Sequence, residues 1–266
     1  METGKNRIKE IEYKGFTVFD QLIPVDAVET IKKELSKIQL KPVDYSDCQL
    51  VRHNFHGEPC PQALELIAHP EITGFLKQLF GDKLICTSTL YSRSLPGHPG
   101  IVLHTDSQPY GSEIFGVQAS APVLARVLVY LDDLTKEKSP LRVIPTSHLS
   151  LHADANPYNR YLSHPDEVEI TCKAGTVVII NQKVFHGNGA NTSSQSREMV
   201  AFAFRPEWAG PIAAVEEWPH EWLVQLPAHI RKYFGSLNSR KFDYHVKNRP
   251  EKLQDHAPGL NLDRWR

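Results

Sequence analysis

No apolar run in this chain approaches the roughly 20 residues that a membrane-crossing helix needs, so the sequence offers no ground for a helical span. Charge of one sign is also missing: 30 Lys and Arg stand against 31 Asp and Glu, for a formal net charge of −1. That balance gives no global field to attract nucleic acid or an anionic lipid surface. The four cysteines, Cys48, Cys60, Cys86 and Cys172, contain no C-x-x-C pair. They read as packing residues or surface thiols rather than as a zinc site or a disulfide framework. The first residues lack the apolar core and small-residue cleavage site of a secretory leader, so the cytoplasm is the expected compartment. No fixed-period repeat or low-complexity tract divides the chain, and one domain over residues 1–266 is the simplest reading.

Residues 11–19 read as a short strand. Pro24 opens a helix that carries Val28, Ile31, Leu35 and Ile38 at helical spacing. A second helical region starts near Pro61, is interrupted at Pro70, and stops at Gly81. The spacing thus predicts a helical portion over 20–82. From Lys83 to Pro206 the chain changes to β-branched and aromatic runs broken by Gly, Pro, Asn and Asp: 84–91, 101–104, 125–131, 141–144, 168–171, 176–185 and 199–204. Many short strands at such intervals predict a sandwich or barrel over 83–206. The extension 207–266 carries one helix candidate, Trp222 to Phe234.

Within the strand-rich region stand His104-Thr105-Asp106 and, far downstream, His186-Gly187-Asn188-Gly189. Two imidazoles and one carboxylate are the ligands that hold non-heme Fe(II) on one face and leave positions open for a co-substrate and O2. On an extended strand, His104 and Asp106 face one side and Thr105 the other. His186 ends the 176–185 run, and a turn beginning at Gly187 is expected to carry Arg197 onto the neighbouring strand. A guanidinium there offers a planar fork to the far carboxylate of 2-oxoglutarate, whose keto acid end chelates the metal.

These stretches resemble the phytanoyl-CoA dioxygenase family of Fe(II)/2-oxoglutarate oxygenases. The resemblance rests on Gly15-Phe16-Thr17-Val18-Phe19, Leu95-Pro96-Gly97, His104-Thr105-Asp106, Leu131-Asp132-Asp133, Pro140 to His148, Ala174-Gly175-Thr176, His186 to Asn191 and Arg197. It implies a mainly β double-stranded β-helix, a cupin-like jelly roll, with flanking α-helices. It also implies His104, Asp106 and His186 as iron ligands and Arg197 as the 2-oxoglutarate residue. Related halogenases replace the ligand carboxylate with a small residue; Asp106 is retained, which argues against halogenation. Hydroxylation of a small molecule, with release of succinate and CO2, is the expected outcome, and the same ligands serve desaturation, epimerisation or cyclisation. A non-catalytic jelly-roll module and a zinc hydrolase of similar shape are the rival readings.

Four further residues are candidates for substrate contact. Arg126 shares a face with Leu128 and Tyr130, which points a charge into the barrel, where it needs an anion from the substrate or from an internal acid. Tyr91 and Arg93, two apart on one strand, are expected to line the pocket, and Gln118 lies in the Gly111 to Pro122 insert. The internal arginines favour an anionic substrate. Arg142 and His148 read as loop braces, His98 as a solvated side chain beside Pro-Gly turns, and Trp208 as packing at the barrel mouth. The basic residues between 231 and 249 read as a solvated face.

Overall fold

A computed structural model describes residues 2–106, 124–149, 163–207 and 218–234. Gln118 and its insert, Trp208, and the basic residues from Arg240 to Arg249 lie outside the described residues. Among the described residues, eleven strands form two antiparallel sheets. In chain order they are β1 (Phe16–Phe19), β2 (Lys41–Val43), β3 (Ser46–His53), β4 (Leu84–Ser94), β5 (Ile101–His104) and β6 (Ala125–Tyr130). Then follow β7 (Leu141–Val143), β8 (Val168–Ile170), β9 (Val177–Asn181), β10 (His186–Asn188) and β11 (Arg197–Pro206). The large sheet has the order β1-β9-β6-β11-β4-β3-β2 and the small sheet β5-β10-β7-β8. The architecture is the expected jelly roll.

The large sheet is apolar on both faces, for two different reasons. Its inner face sets Leu128, Tyr130, Val178, Ile180 and Ala201 against Leu141, Val143 and Ile170 of the small sheet. Its outer face sets Val127, Val129, Ile179, Val200 and Phe202 against helices α2 (Val25–Leu35) and, past the short α3 (Pro61–Glu65), α4 (Pro70–Phe80), through Val28, Ile31, Leu35, Ile72, Phe75 and Leu76. A strand such as β9, Val-Val-Ile-Ile-Asn, therefore reads as a continuous apolar run rather than an alternating one. Each such side chain, fully buried, contributes roughly 1.5–3 kcal/mol.

Helix boundaries follow the local chemistry at α2 and α4. Pro24 and His69 occupy their N-caps, and Gly81, at φ 91°, ends α4. Elsewhere the structure corrects the expected elements. Residues 11–14 are not strand but the end of helix α1 (Glu2–Lys14); Gly15, at φ +86°, then turns the chain into β1. A Cβ at Gly15 would lie 2.7 Å from both His148 Nδ1 and Val184 Cγ2, so only glycine makes this corner. The 20–82 region also carries β2 and β3, which extend the large sheet beyond β4. The 176–185 run breaks at Asn181, whose side-chain oxygen accepts from Lys183 N while Val184 N donates to its carbonyl. The helix expected over 222–234 is two single turns, His220–Leu223 and Ala228–Arg231, with Pro227 at the break. Two loop-brace expectations match the contacts. Arg142 is ion-paired to Glu167, and His148 Nε2 lies 2.8 Å from Glu12 O.

Candidate metal centre

His186 opens β10 rather than ending the preceding strand, and its direct register partner on β5 is His104. Their rings lie 4.4 Å apart between centroids. The pairing is irregular: Val102 and Leu103 together oppose Gly187, where a Cβ would lie 2.4 Å from Ile101 O. Glycine at 187 lets the bulged strand approach, and the bulge sets both imidazoles on one site. Asp106, just past β5, is tied by its backbone N to Gln182 O at 2.8 Å. Its Oδ1 lies 3.9 Å from His104 Nε2 and its Oδ2 3.7 Å from His186 Nε2. The three ligand atoms all fall within 4.8 Å of one another, a spacing that one metal ion can span.

Tautomers are set by the backbone. His104 Nδ1 donates to Val102 O at 2.8 Å and His186 Nδ1 to Val184 O at 3.0 Å. A carbonyl only accepts, so each Nδ1 carries the proton and each Nε2 keeps its lone pair for a metal. Burial pushes His186 down to about 4, which keeps that lone pair free near neutral pH. Burial alone would raise Asp106, but Arg126 and the two imidazoles outweigh it and hold the carboxyl below its usual range.

Arg197 opens β11 in the large sheet, not the strand beside His186 as expected, so the guanidinium and the triad stand on opposing sheets. It is 0% exposed, and among the described residues none of its three guanidinium nitrogens has a hydrogen-bond partner. Leaving a buried charge unpaired costs several kcal/mol, a cost that an anion at this position would offset. Across the inner face, Arg197 is in register with Ser94 and, one strand further, Gln49; Gln49 Nε2 donates to Ser92 Oγ and Ser94 Oγ to Gln49 Oε1. The same face continues with Ser92, Leu90 and Ser88 on β4 and with Met199, Ala201 and Ala203 on β11.

Sequence reasoning missed two neighbours of Arg197. His98, expected in solvent, is 1% exposed; its Nδ1 accepts from Gly100 N, and burial together with Arg197 pushes it down to about 4. The Tyr130 hydroxyl is buried without a partner within the field of Arg197. Inward alternation on β6 signalled Tyr130, whereas nothing local signalled His98.

The remaining candidates divide. Arg126 does point into the barrel, where its Nε lies 2.5 Å from Asp106 Oδ2. Tyr91 and Arg93 do not line the pocket: they lie on the outer face of the large sheet, beside the helices. Tyr91 OH donates to Glu198 Oε2 at 2.7 Å, Arg93 Nη2 donates to Tyr91 OH at 2.8 Å, and Arg93 Nε is 3.1 Å from Glu198 Oε1. On a central strand covered on both sides, both alternating faces are buried, so sharing a face did not say which one.

The family model for phytanoyl-CoA dioxygenase (PhyH) matches residues 11–199. The chain belongs to that family. Among curated relatives of this PhyH chain, "Dioxygenase trt7" from Aspergillus terreus is 26% identical over 176 residues, covering 64% of this chain and 59% of that protein. "L-proline trans-4-hydroxylase" from Streptomyces griseoviridis is 31% identical over 103 residues, 29% of this chain and 38% of that one. The chain thus spans about three-fifths of the length of the first of these relatives. Among solved structures, HygX from Streptomyces hygroscopicus with nickel, 2-oxoglutarate and hygromycin B bound superposes with a TM-score of 0.66 at 16% identity, over 76% of this chain and 87% of that one. The carbocyclase SnoK from nogalamycin biosynthesis gives 0.61 at 18% identity, over 76% and 84%. These likenesses establish the shared fold. Among the described residues, no helix is long and apolar enough to cross a membrane.

Proposed function

We propose that this chain is an Fe(II)- and 2-oxoglutarate-dependent oxygenase that hydroxylates a small molecule. His104, Asp106 and His186 hold the iron, and Arg197 receives the far carboxylate of 2-oxoglutarate. The observation that carries the reading is Arg197, wholly buried and unpaired on the sheet facing a ready-made ligand triad. A zinc hydrolase or a binding module has no use for that charge, whereas a keto diacid needs both the triad and the guanidinium. When bound, ferrous ion with 2-oxoglutarate and O2 supplies an oxidant that inserts one oxygen atom into a substrate C–H bond, the other leaving in succinate beside CO2.

The chain's own contribution is placement. Val102 and Val184 carbonyls hold the two imidazoles in the metal-binding tautomer. Buried Arg197 holds the far end of the co-substrate at the inner face of β11, away from bulk water. Arg126, with a side chain 29% exposed, stands at the open side of the triad. With a divalent ion and a dianionic co-substrate in place, Asp106, Arg197 and Arg126 leave the site with one positive charge in excess. An anionic group on the substrate neutralises it, so the substrate class is a small anionic metabolite.

The experiment is O2-dependent conversion of 2-oxoglutarate to succinate by iron-loaded protein, read with and without a panel of small carboxylates and phosphates. Stimulation by an anionic compound, with a matching +16 mass product, supports the reading. Protein that is iron-loaded yet never forms succinate rejects it.

A further inference from the structure

The two oxygens of Asp106 have different neighbours. Oδ2 lies 2.5 Å from Arg126 Nε and 3.7 Å from His186 Nε2, whereas Oδ1 faces His104 Nε2 at 3.9 Å and, among the described residues, has no arginine or lysine on it. Asp106 is also pinned behind, its backbone N on Gln182 O, so the residue is held at its main chain and at one carboxylate oxygen. Arg126 is itself fixed in the middle of the large sheet, between Ala203 on β11 and Ile180 on β9. It reaches across the barrel from the sheet opposite the triad.

We propose that Arg126 is a positioning residue that restricts Asp106 to one ligand oxygen. This rests on the oxygenase reading above. A free carboxylate tends to grip a divalent ion with both oxygens when positions are open, and doing so here would take a position that the keto acid needs. An arginine on Oδ2 removes that option while leaving Oδ1 available. Its positive charge also opposes the ion, so Arg126 sacrifices some metal affinity and protects the co-substrate's positions. The inference separates two quantities that a merely structural arginine would lower together: metal affinity and 2-oxoglutarate affinity.

The test compares wild type with R126M and R126A, each confirmed folded by circular dichroism. Co(II) uptake and its visible ligand-field spectrum are measured first. Anaerobic 2-oxoglutarate binding to the Fe(II) form is then titrated by the visible absorption of the chelate. R126M should bind Co(II) at least as tightly as wild type, with an altered ligand-field spectrum. Its 2-oxoglutarate Kd should weaken by about tenfold or more, the size typical of losing a partner that orients a metal ligand. Millimolar guanidinium added to R126A should restore both spectrum and Kd, and this arm stands alone if R126M does not fold. A folded R126M with wild-type spectrum and Kd overturns the inference, and so does one that loses Co(II) altogether. Wild-type protein that binds no 2-oxoglutarate sinks the oxygenase reading instead, and is told apart by that control.

Discussion

His104 and His186 are direct register partners on antiparallel strands, although 81 residues of chain separate them. The β5–β10 ladder therefore brings two of the three residues of the candidate metal site together by backbone pairing alone. The carbonyls of Val102 and Val184, each two residues before its histidine, complete the arrangement by fixing both rings.

Arg197 should be a burden to the fold until its ligand arrives. Replacing it by methionine removes an unpaired buried charge, so metal-free R197M should be more stable than wild type by about 2 kcal/mol or more. The same change should weaken 2-oxoglutarate binding by roughly 100-fold, because a charge-assisted bidentate contact is lost. Urea denaturation of the metal-free proteins and anaerobic titration of the Fe(II) forms check the two halves. A destabilised R197M would mean that the guanidinium serves the fold.

Tyr91, Arg93 and Glu198 form a closed network on the helix side of the large sheet. Y91F leaves a buried Glu198 oxygen without its donor, which should cost about 1–3 kcal/mol. Substrate and 2-oxoglutarate KM values should stay within about twofold of wild type, since the network does not face the barrel. Chemical denaturation together with steady-state kinetics separates these effects. A KM change without a stability change would return Tyr91 to the pocket.

Much of the site was legible because its signals are local. His-x-Asp, His-Gly-Asn-Gly and an arginine eleven residues past His186 are short-range patterns. What sequence could not supply was the layer to which each strand belongs. Arg197 was expected beside His186 and sits on the opposing sheet; Tyr91 and Arg93 were given the wrong face, because a strand buried on both sides carries no polar face to orient it. Residues 11–14 misled for a related reason. Ile11 and Tyr13 suit a strand, but helix α1 packs Ile11 into the core before Gly15 turns the chain. The burial of His98 comes from the contact of its loop with Ser139 and Asn191, which is tertiary and left no pattern.

His98 and His186 should make metal-free stability fall in acid. Both are pushed down to about 4 in the fold, chiefly by burial, against about 6.5 in the unfolded chain. Below about 6.5 the unfolded chain takes up protons that the folded state refuses until about 4, so stability is full above that range and is lost as pH falls through it. Thermal midpoints of metal-free protein at about pH 7.5 and about pH 5 measure the loss, and H98N should show a smaller one. A midpoint that does not move would contradict the buried, neutral state of these rings.

The central claim, that four side chains from two sheets seat ferrous ion and 2-oxoglutarate together, has one direct measurement. Fe(II) and 2-oxoglutarate are added anaerobically to the metal-free protein, and the weak visible absorption of the iron–keto acid chelate is followed. A saturable band should form with wild type and be absent from H186A, whose fold is retained. A folded wild-type protein that binds iron but develops no band with 2-oxoglutarate would contradict the claim.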